Sequence, residues 1–218
     1  MKFENAYSGV KKIHAAIILS MISTLVVGIA SFFGFLAIGA AGDALVNTGE
    51  DAVKGAVIGA GLAGIFLIIG AVIALIAYIL KIVGVGKAMK DEAAFKTAFI
   101  IIFVGLAATV LATAFSGNAK VSQIASEVQS LCDFAVLYYI ITGIGNLADK
   151  LNNAAVKAKG QTVLKLIGCF YAIAIIAGIV AIFAETVASI IAAVSSVLIV
   201  IALIVYIVYL AQAKKMLA

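Results

Sequence analysis

The chain contains no proline and no tryptophan, and all fifteen of its basic residues are lysine, so arginine is absent as well. Without proline, no helix is forced to kink or break by the loss of a backbone N–H group. Charged residues make up only 11% of the 218 residues. This leaves too few polar side chains to cover a water-soluble globule of this length.

Cysteine is also scarce, and Cys132 and Cys169 are the only two. Both fall in apolar stretches, one in the outer half of a predicted membrane span and the other in the inner half of the next. A disulfide between them is therefore not expected, and two cysteines alone supply no metal framework. We interpret both as small apolar core residues.

The residue patterns of common enzyme sites are missing. A single histidine cannot form an HExxH motif, and the sequence contains neither GxSxG nor a pair of carboxylates within one apolar stretch. The glycines around residue 84 do not follow a strand, so no phosphate-binding loop is predicted. The sequence therefore predicts no catalytic residue, no metal site and no cofactor, and indicates that the protein is not an enzyme.

Apolar residues make up 66% of the chain and give a mean hydropathy of +1.28. Six apolar runs are each long enough to cross the roughly 30 Å hydrocarbon core of a bilayer as a helix. Backbone groups in lipid must be paired within helices or a closed barrel, and the unbroken apolar run Ile65–Leu80 does not alternate as a barrel strand would. The sequence predicts an all-α bundle of six transmembrane helices forming one membrane domain over 1–218, with spans at 13–41, 55–80, 97–115, 131–148, 163–184 and 187–211.

The lysines are distributed unequally between the two sides of this predicted bundle. The first, third and fifth connections contain only Lys54 and Lys120, whereas the other thirteen lysines lie in the termini and the even-numbered connections. Because positive residues remain on the cytoplasmic side, the pattern predicts a multi-pass protein of the cell membrane with both termini cytoplasmic. The lysine-rich face should attract anionic lipid headgroups at about 1 kcal/mol per lysine, and no nucleic-acid partner is needed to explain the net charge.

A repeated pattern indicates that the six spans form three helical hairpins, at 10–90, 91–150 and 151–218. Each odd-numbered span begins at a lysine, Lys12, Lys96 or Lys165, and ends 18 to 20 residues later at a phenylalanine. Hairpins of equal orientation would be related by an axis along the membrane normal. Inner lysines on any membrane hairpin would produce part of the same pattern, which is the alternative interpretation.

Small residues in the second span indicate close helix packing. Gly55 and Gly59 form a GxxxG pattern, and Ala60 with Gly64 continues the same spacing. Small residues of this kind let helix backbones approach each other in lipid. We expect packing within the chain, with an interface to a second copy as the alternative.

The fourth span contains the candidate binding site. Asp133 is the only acid inside a predicted span, where an ionised group is costly unless it is paired or hydrated. A polar stripe at helical spacing surrounds it, and the stripe could line an outward-facing cleft or bind a partner helix; alternatively, Asp133 lies at headgroup depth. The predicted site residues are Ser126, Glu127, Gln129, Ser130 and Asp133.

Tyrosines and one polar stretch mark the inner side. All seven tyrosines fall toward that side, and we expect most of them to form an interfacial aromatic belt. Tyr171 lies too deep for the belt and should need a hydrogen-bond partner within the bundle. The stretch 149–162 is the longest polar connection and the predicted place for a soluble partner to bind.

Two functions fit these observations. The preferred one is a non-catalytic scaffold or accessory subunit that binds a protein partner or forms a homo-oligomer, because most spans contain few polar residues. The alternative is a small permease or channel that carries a cation or small polar solute through a polar outer cleft near Asp133. No ionisable residue lies near the membrane midplane, where transporter sites usually occur, and this favours the first.

Overall fold

The computed structural model describes residues 3–47, 50–181 and 185–218. Within these ranges, the side chains of residues 40, 42–47, 50–53, 56, 119–120, 123, 174–181, 185–197 and 199 lie outside the description. The described residues form six helices and no strand: α1 (Glu4–Asn47), α2 (Glu50–Ala88), α3 (Ala93–Ala114), α4 (Ala119–Lys150), α5 (Ala154–Ala181) and α6 (Glu185–Leu217).

Five segments of these helices are long and apolar enough to cross a membrane: Glu4–Gly39, Val57–Ala88, Ala93–Ala114, Ile124–Lys150 and Val200–Leu217. The first four correspond to the first four predicted spans, and the fifth overlaps the predicted span at 187–211 from residue 200 onward. The predicted span at 163–184 lies partly outside the described residues, so it stays a prediction. The chain is therefore an all-helical, multi-pass integral membrane protein.

Asparagines shape two of the turns between helices. Asn118 precedes α4 in an extended conformation, and its side-chain oxygen accepts a hydrogen bond from Val121 N at 3.3 Å. Asn152 has a left-handed φ of 55°, a conformation that asparagine tolerates better than most residues. Asn153 Oδ1 then accepts from Val156 N at 3.1 Å, which caps the start of α5.

The stretch 149–162 is mostly helical, and its interpretation as a long polar connection is wrong. α4 continues to Lys150 and α5 begins at Ala154, so only residues 151–153 form the turn. Alanine and lysine are strong helix formers, and no proline interrupts them. Polarity marked this segment as lying outside the membrane but said nothing about its conformation.

The described structure divides into two compact units, Met1–His14 with Ile82–Ala218, and Ala15–Lys81. In the first unit α3 packs on α4, α4 on α5, and α5 on α6, with a smaller contact between α4 and α6. Its core lies at the lysine-rich helix ends and includes fully buried Val10, Val85, Phe95, Leu147 and Leu210. The predicted single domain over 1–218 stays a prediction.

In the first unit, the backbones of α1 and α2 come close together at a pair of glycines. A Cβ atom at Gly9 on α1 would lie only 2.5 Å from the carbonyl oxygen of Gly84 on α2. No side chain could occupy that space, because the contact is with backbone. The two glycines thus permit a close approach of the α1 and α2 backbones at this point.

The second unit is a pair of helical segments from α1 and α2. Ser23 Oγ donates a buried hydrogen bond of 2.8 Å to the Gly70 carbonyl oxygen, and the rings of Phe33 and Phe66 stack with centroids 5.8 Å apart. Many of its large apolar side chains are exposed, as expected of a surface that faces lipid chains.

Candidate functional site

The predicted polar stripe on α4 divides into two parts in the structure. Gln129 is half-buried, and its side-chain amide contacts the hydroxyl of Thr109 on α3. Ser126, Glu127 and Ser130 are instead exposed, and the Ser130 hydroxyl donates to the Ser126 carbonyl of its own helix at 3.1 Å. Of these four residues, Gln129 therefore contacts a neighbouring helix, whereas the Ser130 hydroxyl bonds within its own helix.

Asp133 lies on the half-buried side of the same helix. It lies within electrostatic range of Tyr171 on α5, whose ring lies beside Phe134 with centroids 5.0 Å apart. The structure therefore places Asp133 where α4 faces α5. This juxtaposition joins Asp133 to a neighbour that the sequence pattern did not associate with it.

Two successive carboxylates in the turn between α2 and α3 form a better-connected polar site. Glu92 Oε1 accepts a hydrogen bond of 2.9 Å from Asn146 Nδ2, and Glu92 Oε2 lies 2.5 Å from the Lys150 ammonium nitrogen. Asp91 accepts from the backbone N–H of Ala6 at 2.6 Å, where the positive end of the α1 dipole favours an anion. The acid pair thus links the turn to the start of α1 and the end of α4.

The environment of Glu92 favours its charged form. Burial, the largest single influence, raises the pKa of this carboxyl, because only 9% of the side chain is exposed. The hydrogen bonds from Lys150 and Asn146, together with the Lys150 charge, outweigh burial and hold the pKa of Glu92 below its ordinary value. Glu92 is therefore a charged, largely buried anchor.

Sequence reasoning missed Asp91 and Glu92. The available signal was an acid pair in an otherwise lysine-rich connection. Because lysines dominate the connection between α2 and α3, its charge pattern predicts only a basic, solvated segment. Only the tertiary structure brings Asn146 and Lys150 within hydrogen-bonding distance of Glu92.

A cavity of about 210 Å³ lies between the ends of α4 and α5. Lys157, at its margin, also pairs with Asp149 at 2.6 Å, and both side chains of this ion pair are about half exposed. Its lining combines apolar, amide and hydroxyl groups with one ammonium: Ile141, Thr142, Gly145, Asn146, Lys157, Gly160, Gln161 and Leu164.

Tyr206 and Tyr209 are core residues, and the belt interpretation, which covered most of the seven tyrosines, does not describe these two. Both side chains are fully buried in the first unit. Tyr209 OH donates to the Ile141 carbonyl oxygen at 3.4 Å, a long hydrogen bond, and lies beside Gly160. Tyr206 OH has no hydrogen-bond partner in the described part of the chain. The apolar rings fill the core between helices, and sequence position alone did not show that their helix face points inward.

The three predicted packing glycines differ in their surroundings. A Cβ atom at Gly59 would lie 3.0 Å from Ala37 Cβ and 3.2 Å from the Phe33 carbonyl oxygen, so Gly59 packs directly on α1. Gly64 has open space around its Cβ position, and Gly55 is exposed.

Both cysteines are free thiols. Within residues 3–47, 50–181 and 185–218, no three histidine, cysteine or acidic residues cluster as a metal site would require. Comparison with protein-family models, curated proteins and solved structures finds no match to this chain.

Proposed function

We propose that this protein is a non-catalytic scaffold or accessory subunit of the membrane, which binds a partner helix along the outer half of α4. The contact surface consists of Ser126, Glu127 and Ser130.

The observation that carries this proposal is the exposure of these three polar residues on a helix long enough to span the membrane. Polar groups that face lipid are costly, and hydroxyl and carboxyl groups commonly form hydrogen bonds between membrane helices. A second helix placed against this face would supply donors to the Glu127 carboxylate and to the acceptor lone pairs of the serine hydroxyls. A solute path would instead need polar groups from several helices around one space.

Photocrosslinking tests the surface directly. A benzophenone amino acid at Ser130 should give a discrete protein adduct in native membranes, and in dilute vesicles of the purified protein if the partner is a second copy. Val128 provides the control, because it is 40% exposed and its side chain points about 160° away from those of Ser126 and Ser130 around the same helix. Its adducts should be lipid alone.

Replacing Ser126 and Ser130 together with leucine should remove the adduct, measured with the probe at Glu127, and leave the helical circular dichroism unchanged. Equal labelling at Ser130 and Val128 would contradict a specific surface. A flux assay in vesicles addresses the alternative: cation or solute uptake by wild type that Asp133→Asn abolishes would establish a permease instead.

The same proposal includes the topology. We place both termini and the turns at 89–92 and 151–153 in the cytoplasm, and the lysine asymmetry supports this. Single cysteines introduced at Lys87 and Asn118, in a variant with Cys132 and Cys169 replaced by serine, should react with an impermeant maleimide from opposite sides. Reaction of both from outside the cell would reverse the assignment.

A further inference from the structure

The cavity between α4 and α5 is polar at one end and apolar at the other. Asn146 and Lys157 are the lining residues nearest the turn at 151–153, whereas Ile141 and Leu164 lie about one to two helical turns farther from it. Since α4 is apolar enough to span the membrane, the apolar end points toward the lipid chains. A ligand that fits this arrangement has a polar head and an apolar body.

The polar end offers hydrogen-bond donors that are only partly used by neighbouring carboxylates. The Lys157 ammonium has three N–H donors, and its pairing with Asp149 uses only one of them. Asn146 donates one of its two amide hydrogens to Glu92 and keeps the other. Asp149 lines an adjoining, more open depression beside the turn, which shares Lys157 and Gln161 with the cavity, and no acid lines the cavity itself. These donors match the oxygens of a phosphate group.

The adjacent surface of α5 continues the same charge pattern. Lys157, Gln161 and Lys165 occur at intervals of four residues and therefore share one helix face. Gln161 and Lys165 are exposed. A second cation thus follows the cavity along the helix, where a membrane-anchored anion would meet it.

The space itself depends on Gly145. A Cβ atom at this position would meet no other atom within 4 Å, so the residue leaves the cavity open without being needed for helix contact. A larger side chain there would fill the cavity while leaving every charge in place. Gly145 therefore provides a way to separate steric fit from electrostatic attraction.

We propose that this cavity binds the phosphate group of an anionic phospholipid, with the start of an acyl chain against Ile141 and Leu164. The lysine-rich ends attract such lipids in general, and this site would hold one in a defined position. The proposal does not depend on the scaffold function.

Native mass spectrometry of the delipidated protein, titrated with phosphatidylglycerol or phosphatidylcholine in mixed micelles, tests the site. Wild type should retain at least fivefold more phosphatidylglycerol than phosphatidylcholine at equal concentration. Lys157→Gln should lower the retained phosphatidylglycerol at least fivefold, whereas Lys215→Gln, which removes an exposed lysine from α6, should change it less than twofold.

Gly145→Leu should also lower retention at least fivefold, although it changes no charge. Gly61→Leu is its control, because Gly61 on α2 likewise has open space around its Cβ position. Circular dichroism should show unchanged helicity in all four variants, and a variant that loses helicity is replaced by Gln161→Leu, which removes an exposed polar group of the cavity wall.

Three results would overturn the proposal. Equal retention of the two lipids would show that the site does not select an anion. Unchanged retention in both Lys157→Gln and Gly145→Leu would place the lipid elsewhere. Binding of inorganic phosphate alone, at the affinity of the lipid, would identify a site for the free anion.

Discussion

Replacing Glu92 with glutamine tests whether this buried carboxylate stabilises the packed helix ends. Glutamine keeps the size of the side chain and one acceptor oxygen but removes the charge. Glu92 is 9% exposed and accepts from both Asn146 and Lys150. The substitution should therefore weaken two hydrogen bonds that join the α2–α3 turn to α4.

The expected cost follows from the difference between charged and neutral hydrogen bonds. A bond to a charged group contributes about 1.5–3 kcal/mol and a neutral one about 0.5–1.5 kcal/mol, so each bond should lose about 1 kcal/mol. The Lys150 side chain is 49% exposed, and solvent screening reduces its share. We expect Glu92→Gln to lower the free energy of unfolding by about 1.5 kcal/mol at neutral pH.

The matched control is Asp149→Asn, which neutralises an ion pair of nearly the same length. Asp149 lies 2.6 Å from Lys157, but the two side chains are 53% and 44% exposed. Exposed pairs of this kind contribute about 0–1 kcal/mol, so the loss should be about 0.5 kcal/mol or less. Reversible unfolding in mixed micelles at increasing dodecyl sulfate fraction, followed by circular dichroism, measures both.

At acidic pH, wild type and Glu92→Gln should have the same free energy of unfolding. The folded state holds the pKa of Glu92 below the ordinary value of 4.5, so its stabilisation is present above about that pH. It disappears as the pH falls through the lower folded pKa, because the carboxyl then takes up a proton. An equal loss for Glu92→Gln and Asp149→Asn, or a difference that persists in acid, would refute the reasoning.

Two further predictions concern buried contacts. Gly59→Leu should lower the free energy of unfolding by about 1–3 kcal/mol, because the new side chain meets the α1 backbone, whereas Gly64→Leu should change it little in the same dodecyl sulfate titration. Equal losses would count against the different surroundings of the two glycines. Tyr206→Phe should leave the free energy of unfolding unchanged or raise it by about 1 kcal/mol, because the buried hydroxyl lacks a partner in the described residues. Tyr209→Phe should lower it slightly, because the hydrogen bond to the Ile141 carbonyl is lost. Thermal unfolding in detergent measures both, and a greater loss for Tyr206→Phe would contradict this expectation.

Much of the secondary structure could be predicted from the sequence alone, because in lipid an unbroken apolar run must pair its backbone internally as a helix. The runs that begin near residues 55 and 97 correspond to α2 and α3 for this reason. The runs did not show how far helices extend beyond the membrane, since alanine and lysine continue a helix in water as readily as they form a polar connection. The segment 154–162 is the clearest case.

The candidate site could be predicted only in part from the sequence. Helical spacing placed Ser126, Ser130 and Asp133 near one another on α4, but spacing along one helix does not reveal which residues a neighbour covers. The tertiary structure separates exposed Ser130 from half-buried Asp133.

The sequence by itself determined the class of protein, since hydropathy and the absence of proline depend on composition and order alone. Only the tertiary structure decided the links between distant residues. Glu92 and Lys150 are far apart in the chain, and their ion pair exists because α3 and α4 pack together. The inward placement of Tyr206 was likewise decided by helix rotation, which the nearly uniform apolarity of α6 leaves unspecified, because no polar face marks which side meets lipid.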